Sequence, residues 1–212
     1  MPGLVSRLDE IAEKLDRLAA RGVAFSVFGA STHKYSLRSP ISEQALSDFE
    51  RRMGCELPAE YRLFVTRVGH GGAGPDYGLF PLDDRDSEDI TDYDLIKKPF
   101  RWTGAFNPYD WEDPCGQEDV WCDDEAEEGE QPQVILGVPG ALYICHHGCA
   151  MRSFLVVRGQ CQGEVWRDLQ SDDEGVVPQC DASGRHLSFF GWYEKWLDES
   201  LAFKPNPRTA WY

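Results

Sequence analysis

Residues 143–151 read YICHHGCAM, two cysteines bracketing two histidines and a glycine. Thiolate and imidazole are both metal ligands and both reactive groups, so a metal site, a Cys–His nucleophile pair and a plain turn are all open. A closed zinc site takes four ligands, usually as two close pairs. Cys145 and Cys149, assisted by His146 or His147, would make one pair; the minor metal alternative is Cys145, His147 and Cys149. The second pair would have to be Cys115 and Cys122, which have six residues between them, and no C-x-x-C pair occurs anywhere. Cys145 and His146 are neighbours in a strand-like run and so point to opposite faces. Cys149 and His147 could meet across a turn, but no orienting third group stands near them in the sequence. The favoured reading is a hairpin turn between ALYICHH and RSFLVV, with Gly148 in a conformation that a Cβ would resist. No metal, no cofactor and no catalytic residue is expected.

Acidic side chains are the other source of chemistry. Lys and Arg total 21 and Asp and Glu total 37, a formal net charge of −16. Residues 83–130 hold 18 acidic and 4 basic residues, so −14 of that charge sits in one segment. Calcium fits poorly: DDRDSEDITDYD lacks the central glycine and the closing glutamate of an EF-hand loop. With so many acids, no pair stands out for acid–base work. The same segment carries Tyr93, Trp102, Tyr109, Trp111 and Trp121. Carboxylates interleaved with Trp and Tyr suit a surface that meets a basic protein, the rings supplying anchor area and the charge supplying on-rate. The candidate partner-binding residues are Asp83, Asp84, Asp86, Glu88, Asp89, Trp102, Tyr109, Trp111 and Trp121. Direct binding to nucleic acid or to an anionic membrane is disfavoured by the same field.

The elements that carry these residues read as helices, then strands, then a helix. Leu4, Leu8, Ile11, Leu15 and Leu18 share one face of a helix over 4–21, expected as an appendage packing on its own domain. Residues 23–28 and 35–38 are strands or extended connections. Ser42 caps a helix with Leu46, Phe49 and Met53 on one side, closed by Gly54. A second helix begins at Pro58 and presents Tyr61, Phe64, Val65 and Val68. GHGGAGPDYGLFPL lacks the Lys-Ser or Lys-Thr of a phosphate loop and follows a helix, so it reads as a tight connection. VILGV, ALYICHH, RSFLVV and GEVWRDL are apolar runs too closely spaced for parallel crossovers, hence antiparallel hairpins. Ser188 caps FFGWYEKWLDESL, whose buried face is Phe189, Tyr193, Trp196 and Leu197, with Ser200 outside. The fold class is α+β: a mostly antiparallel sheet flanked by N-terminal helices and a C-terminal aromatic helix.

Composition sets the limits. With 42% hydrophobic and 12% aromatic residues, 212 residues suffice for one well-filled domain over 1–212 with an acidic loop-rich segment at 83–130. No apolar run is long enough to span a bilayer, and the N-terminus lacks the apolar block of a signal peptide. Seven scattered cysteines are expected as reduced thiols, which suits a cytoplasmic protein.

ISEQALSDFERRMGCELPAEYRLFVTRVGHGGAGP resembles the signature of the SUKH superfamily in its Smi/Knr branch: a helix with Phe-Glu, then Leu-Pro-x-x-Tyr, a second helix and a glycine turn. GCAMRSFLVVRGQCQGEVWRDL is similar to the family's strand pair ending in Gly-x-Val-Trp, and SFFGWYEKWLDESL to its closing aromatic helix. The likeness runs over about 41–200; Gly-His-Gly-Gly stands where Asn-Gly-Gly is common. It implies an α+β fold without catalysis. Bacterial members are typically immunity proteins that bind and block a cognate toxin, often a nuclease, and fungal members regulate cell-wall synthesis. The expectation is a protein-binding protein whose acidic segment occludes the basic site of a toxin domain. The alternative is a cytosolic regulator or scaffold with an endogenous partner.

Overall fold

The computed structural model describes residues 2–21, 27–82, 94–113, 116–122 and 134–204. Its centre is an antiparallel meander, β5 (Ala141–Gly148), β6 (Met151–Val156), β7 (Val165–Asp168) and β8 (Val176–Pro178), paired in chain order. The free edge of β5 is extended by the chain at 77–80, which exchanges backbone hydrogen bonds with Ile144 and His146. That chain in turn pairs through Leu79 and Gly72 with a short ladder of β1 (Leu37–Arg38) and β2 (His70–Gly72). A separate pair, β3 (Val120–Cys122) and β4 (Val134–Leu136), is tied to the meander by the buried amide of Gln170. Its Oε1 accepts from Leu136 N–H at 2.7 Å and its Nε2 donates to Leu136 C=O at 3.0 Å. The α+β reading holds, and β8 is a strand that the sequence did not announce.

Helices close one face of the sheet. α1 (Pro2–Ala20) buries Leu8, Ile11, Leu15 and Leu18 and packs along α5 (Phe189–Ala202). The helix expected as an appendage therefore contributes to the main core. α2 (Ala30–His33) is a single turn. α3 (Glu43–Met53) starts where Ser42 Oγ accepts from Ala45 N–H and ends at Gly54 in the left-handed region, as its sequence requires. α4 (Ala59–Arg67) begins one residue after Pro58, which stands at the cap rather than the first helical position. Phe64 lies 4.8 Å from Tyr193 and 5.2 Å from Phe189, ring centre to ring centre and edge-on, the arrangement aromatic quadrupoles favour.

Polar contacts fix the helices against one another. Arg7 of α1 holds Glu194 of α5 bidentately, at 2.9 and 2.6 Å, and reaches Glu60 of α4 at 3.4 Å. Glu60 also accepts from Phe190 N–H at 2.8 Å. Arg21 donates to the carbonyls of Ser200 and Leu201, capping the negative end of α5. Ser200, expected at the surface, is 3% exposed. α1 lies along that side of α5, so the buried arc runs from Phe189 through Trp192, Tyr193, Trp196 and Leu197 to Ser200.

Among the described residues the opposite face of the sheet is closed without α-helices. Phe154, Val156 and Trp166 point outward from it and are covered by Phe100, Trp102 and Phe106 from the connection that leads toward β3. Phe100 sits 4.8 Å from Trp166, and backbone bridges at Phe100–Gly159 and Phe106–Val176 fix this cover. Cys122 is disulfide-bonded, which corrects the expectation of uniformly reduced thiols; its partner lies outside the described residues. Cys55, Cys145, Cys149, Cys161 and Cys180 are free.

Candidate functional site

The β5–β6 hairpin places the CHHGC residues. A bulge between Tyr143 and Cys145 puts Ile144 and Cys145 together on the helix-covered face, and a second irregularity follows at His146–Gly148. The connection is the two-residue turn Cys149–Ala150, both in the left-handed region at φ 48° and 62°. Gly148 precedes it at φ 92°, where a Cβ would stand 2.9 Å from the Tyr77 ring. The turn reading of this stretch is therefore the correct one.

His147 is held at both ring nitrogens. Nδ1 donates to the carboxylate of Asp76, and Nε2 accepts from Ser153 Oγ at 2.8 Å, roles assigned from the carboxylate being an acceptor only. A carboxylate, an imidazole and a hydroxyl in this order have the sequence of contacts of a nucleophile relay. Ser153, however, is 0% exposed in the middle of β6, opposite Cys145 on one side and Arg167 on the other. An acyl group has no path to that oxygen. The arrangement orients His147 and satisfies buried polar atoms, and Asp76, 71 residues away in sequence, is the orienting group the local reading lacked.

The Cys145 thiol is equally inert. Burial pushes the Cys145 thiol well above its ordinary value, with the nearby Asp76 carboxylate adding to it, and its Sγ donates to Pro75 C=O at 3.1 Å. Cys149 is exposed on the turn. With both His147 nitrogens engaged, Cys145, His147 and Cys149 do not form a ligand set. Among the described residues no group of three His, Cys, Asp or Glu could hold a metal ion.

Where α5 passes over the ends of the strands, a cleft of about 260 Å³ opens beside this relay. Its floor is His147, Arg167 and Gln179, one wall is Trp192, Lys195, Trp196 and Glu199, and the other is Val27, Phe28, Pro75 and Asp76. Phe28 is 63% exposed at the rim and meets Tyr77 edge-on at 5.4 Å.

The partner-binding candidates lie elsewhere. Asp83, Asp84, Asp86, Glu88 and Asp89 lie outside the described residues, as does the side chain of Trp121, whose backbone belongs to β3. Trp102, Tyr109 and Trp111 are half-buried on the face without helices. Trp102 stacks on Phe106 at 4.1 Å and 14°, Trp111 lies nearly parallel to the same Phe106 ring at 6.4 Å, and Arg101 lies over Trp102 at 4.6 Å. Tyr109 sits in a 3-10 turn, Pro108–Asp110, capped by Asn107. Asp110, Glu112 and Asp113 are exposed around this patch. The structure thus brings two of the aromatic candidates, Trp102 and Trp111, together on Phe106, with exposed carboxylates next to Trp111 in the chain.

Residues 40–176 match the model of the SMI1 / KNR4 family (SUKH-1). The chain belongs to this family. The match starts just before α3 and ends at the first residue of β8, leaving out both α1 and α5. No curated protein and no solved structure matches the chain. Family members are generally non-enzymatic immunity or regulatory proteins that act by binding a protein partner. No helix among the described residues is long and apolar enough to cross a membrane.

Proposed function

We propose that the protein is an immunity protein that neutralises a cognate bacterial toxin domain by occluding its basic, nuclease-like site. The observation that carries this reading is the confinement of −14 of the −16 net charge to residues 83–130 of a chain in this family. A nuclease cleft is basic because it holds phosphates, and a dense run of carboxylates can occupy the same field. In this reading Asp83, Asp84, Asp86, Glu88 and Asp89 steer the encounter and Trp102, Tyr109, Trp111 and Trp121 anchor it. The layer of Trp102, Phe106 and Trp111, with Asp110, Glu112 and Asp113 at its edge, supports it by offering ring area beside negative charge. The protein acts in the cytoplasm, where an immunity protein meets its toxin.

The test is capture of partners from the native lysate at low and then high salt, followed by association kinetics. One dominant basic protein, lethal when expressed without this chain, is expected. Replacing the five acids at 83–89 by their amides should slow association and flatten its salt dependence. A spread of weaker, ordinary proteins would support the regulatory reading instead, and unchanged kinetics would leave the acidic run a solubilising feature.

A further inference from the structure

The cleft between α5 and the ends of β5–β8 contains polar groups that the fold itself does not use. Arg167 stands on β7 directly opposite Ser153, half-buried, and its Nε is shielded from solvent with no hydrogen-bond partner. Other described cations that lack an acidic partner, such as Arg17, Lys34, Arg67 and Arg158, are exposed to water. Arg152, the other half-buried one, also has a shielded Nε without a partner, but its Nη1 donates to Ala150 C=O and its guanidinium lies over the Tyr143 ring. In a chain with 37 acidic residues against 21 basic, a half-buried guanidinium left without an acceptor is an exception. Trp196, 7% exposed and lining the same cleft, also has an indole N–H without an acceptor. An unmade hydrogen bond at a buried donor is a net cost that a bound acceptor would remove. Both donors are shielded in this state but belong to residues that line one cleft, and an acceptor with more than one oxygen, seated there as the two side chains adjust, would serve both.

We propose that this cleft binds a small aromatic carboxylate, or a chain end or side chain presenting the same group. The proposal goes beyond the toxin-binding reading and stands without it. The planar fork of Arg167 matches a carboxylate, with Trp196 N–H available as a further donor. Trp192 and Trp196 supply ring faces for the apolar body. Asp76 and Glu199, also lining the cleft, oppose a dianion, so phosphate is disfavoured while a monoanion is balanced by Arg167 and Lys195. The volume, about 260 Å³, is below that of a drug-sized pocket and suits one ring with one acid group. The exposed rings of Phe28 and Tyr77 at the mouth widen the apolar landing area.

Titration of the full chain with benzoate, N-acetylphenylalanine and N-acetylaspartate methylamide, read from the indole N–H signals of Trp192 and Trp196, tests this. Saturable millimolar binding is expected, and benzamide, which has the ring without the charge, should bind at least tenfold more weakly. Arg167→Met should cost tenfold or more, and Trp196→Phe, which keeps the ring and loses the donor, about threefold. If Arg167→Met does not fold, Arg167→Lys keeps the charge without the fork, and the benzoate–benzamide ratio in the unaltered chain is decisive by itself. The preferred ligand among the three acids identifies the source: a free aromatic acid, a chain terminus or an acidic side chain. Equal binding of benzoate and benzamide, no saturable change at either indole, or wild-type affinity in a folded Arg167 variant would overturn the proposal. None of these outcomes involves residues 83–89, so failure here and failure of the toxin reading are separable.

Discussion

The two faces of the β5–β8 sheet are both sealed by aromatic rings, but by different means. On the inner face Phe64, Phe189 and Tyr193 come from helices, whose own hydrogen bonds set the spacing of the rings before any packing occurs. On the outer face Phe100, Trp102 and Phe106 come from a connection with no regular structure of its own, held by single bridges to Gly159 and Val176 and by stacking. The inner cluster is part of a core that spans α1, α3, α4 and α5; the outer one has few members. The lesson is that ring burial alone does not decide cooperativity. What decides it is whether the backbone carrying the rings is independently ordered, so the inner face should open only with global unfolding and the outer face before it.

The sharpest way to break this comparison is a matched pair of truncations. Phe64→Ala should destabilise by about 4–5 kcal/mol in urea unfolding, and Phe100→Ala by about 3, because the loop can partly collapse into the gap. Hydrogen exchange in Phe100→Ala should accelerate at the amides of Phe106 and Val176 while the inner strands stay protected. Equal costs, with exchange rising on both faces together, would mean one core rather than two.

Ser153→Ala tests the inner edge, where packing gives way to polar contacts. It leaves His147 Nε2 buried without a partner and should cost about 1–3 kcal/mol in thermal or urea unfolding. Less than half a kilocalorie would mean that water replaces the hydroxyl.

Two tyrosines sharpen the contrast further. Tyr193 donates to Ala73 C=O at 2.8 Å on the inner face, and Tyr143 to Asp168 at 2.7 Å on the outer. Each Tyr→Phe change should cost about 1 kcal/mol, less at Tyr143, since Asp168 still accepts from Gln170. Burial raises both phenols well above their ordinary value, with the Asp168 carboxylate adding to Tyr143. The unfolded chain would ionise them near pH 10 and the native chain would not. Their contribution is therefore complete below about pH 10 and is lost as pH rises beyond it, and each Tyr→Phe variant should show a flatter alkaline limb.

The hairpin that both faces share offers a control. Ala150→Gly relieves a left-handed residue and should stabilise by about 1 kcal/mol without favouring either cluster. The smallest effect is expected at His33, whose pKa burial lowers. The unfolded chain takes up a proton near pH 6.5 more readily than the native one, so stability holds above that pH and declines as pH falls through the native value. His33→Gln should remove that acid-side slope.

Much of the inner face was legible in the sequence because its signals are local. Ser42, Gly54 and Ser188 announce helix ends by the conformations and hydrogen bonds they alone supply, and the 3.6-residue spacing of Phe64 or Tyr193 needs no distant partner. Gly148 marked the hairpin for the same reason. What was not legible depends on residues far apart in the chain. Asp76 meets His147 only after the chain at 77–80 has paired with β5, and no spacing rule foretells it. Ser200 reads as solvent-facing until α1 is laid along α5. Arg167 lies in a strand-like run, GEVWRDL, that looks complete without a ligand, and only the three-dimensional cleft shows its donor unused.

The clasp between α1 and α5 joins nearly the first and last described residues, and both helices fall outside the family match of 40–176. During synthesis α1 is made before the sheet and its partner after it. Its stripe of Leu8, Ile11, Leu15 and Leu18 must therefore wait, uncovered, while the whole sheet is translated. A nascent chain in that state offers chaperones an apolar helix until α5 has emerged, and a fragment cut to the family boundaries would lose the α1 and α5 part of the inner cover and keep only α3 and α4. The packed core reaches beyond the family match at both ends.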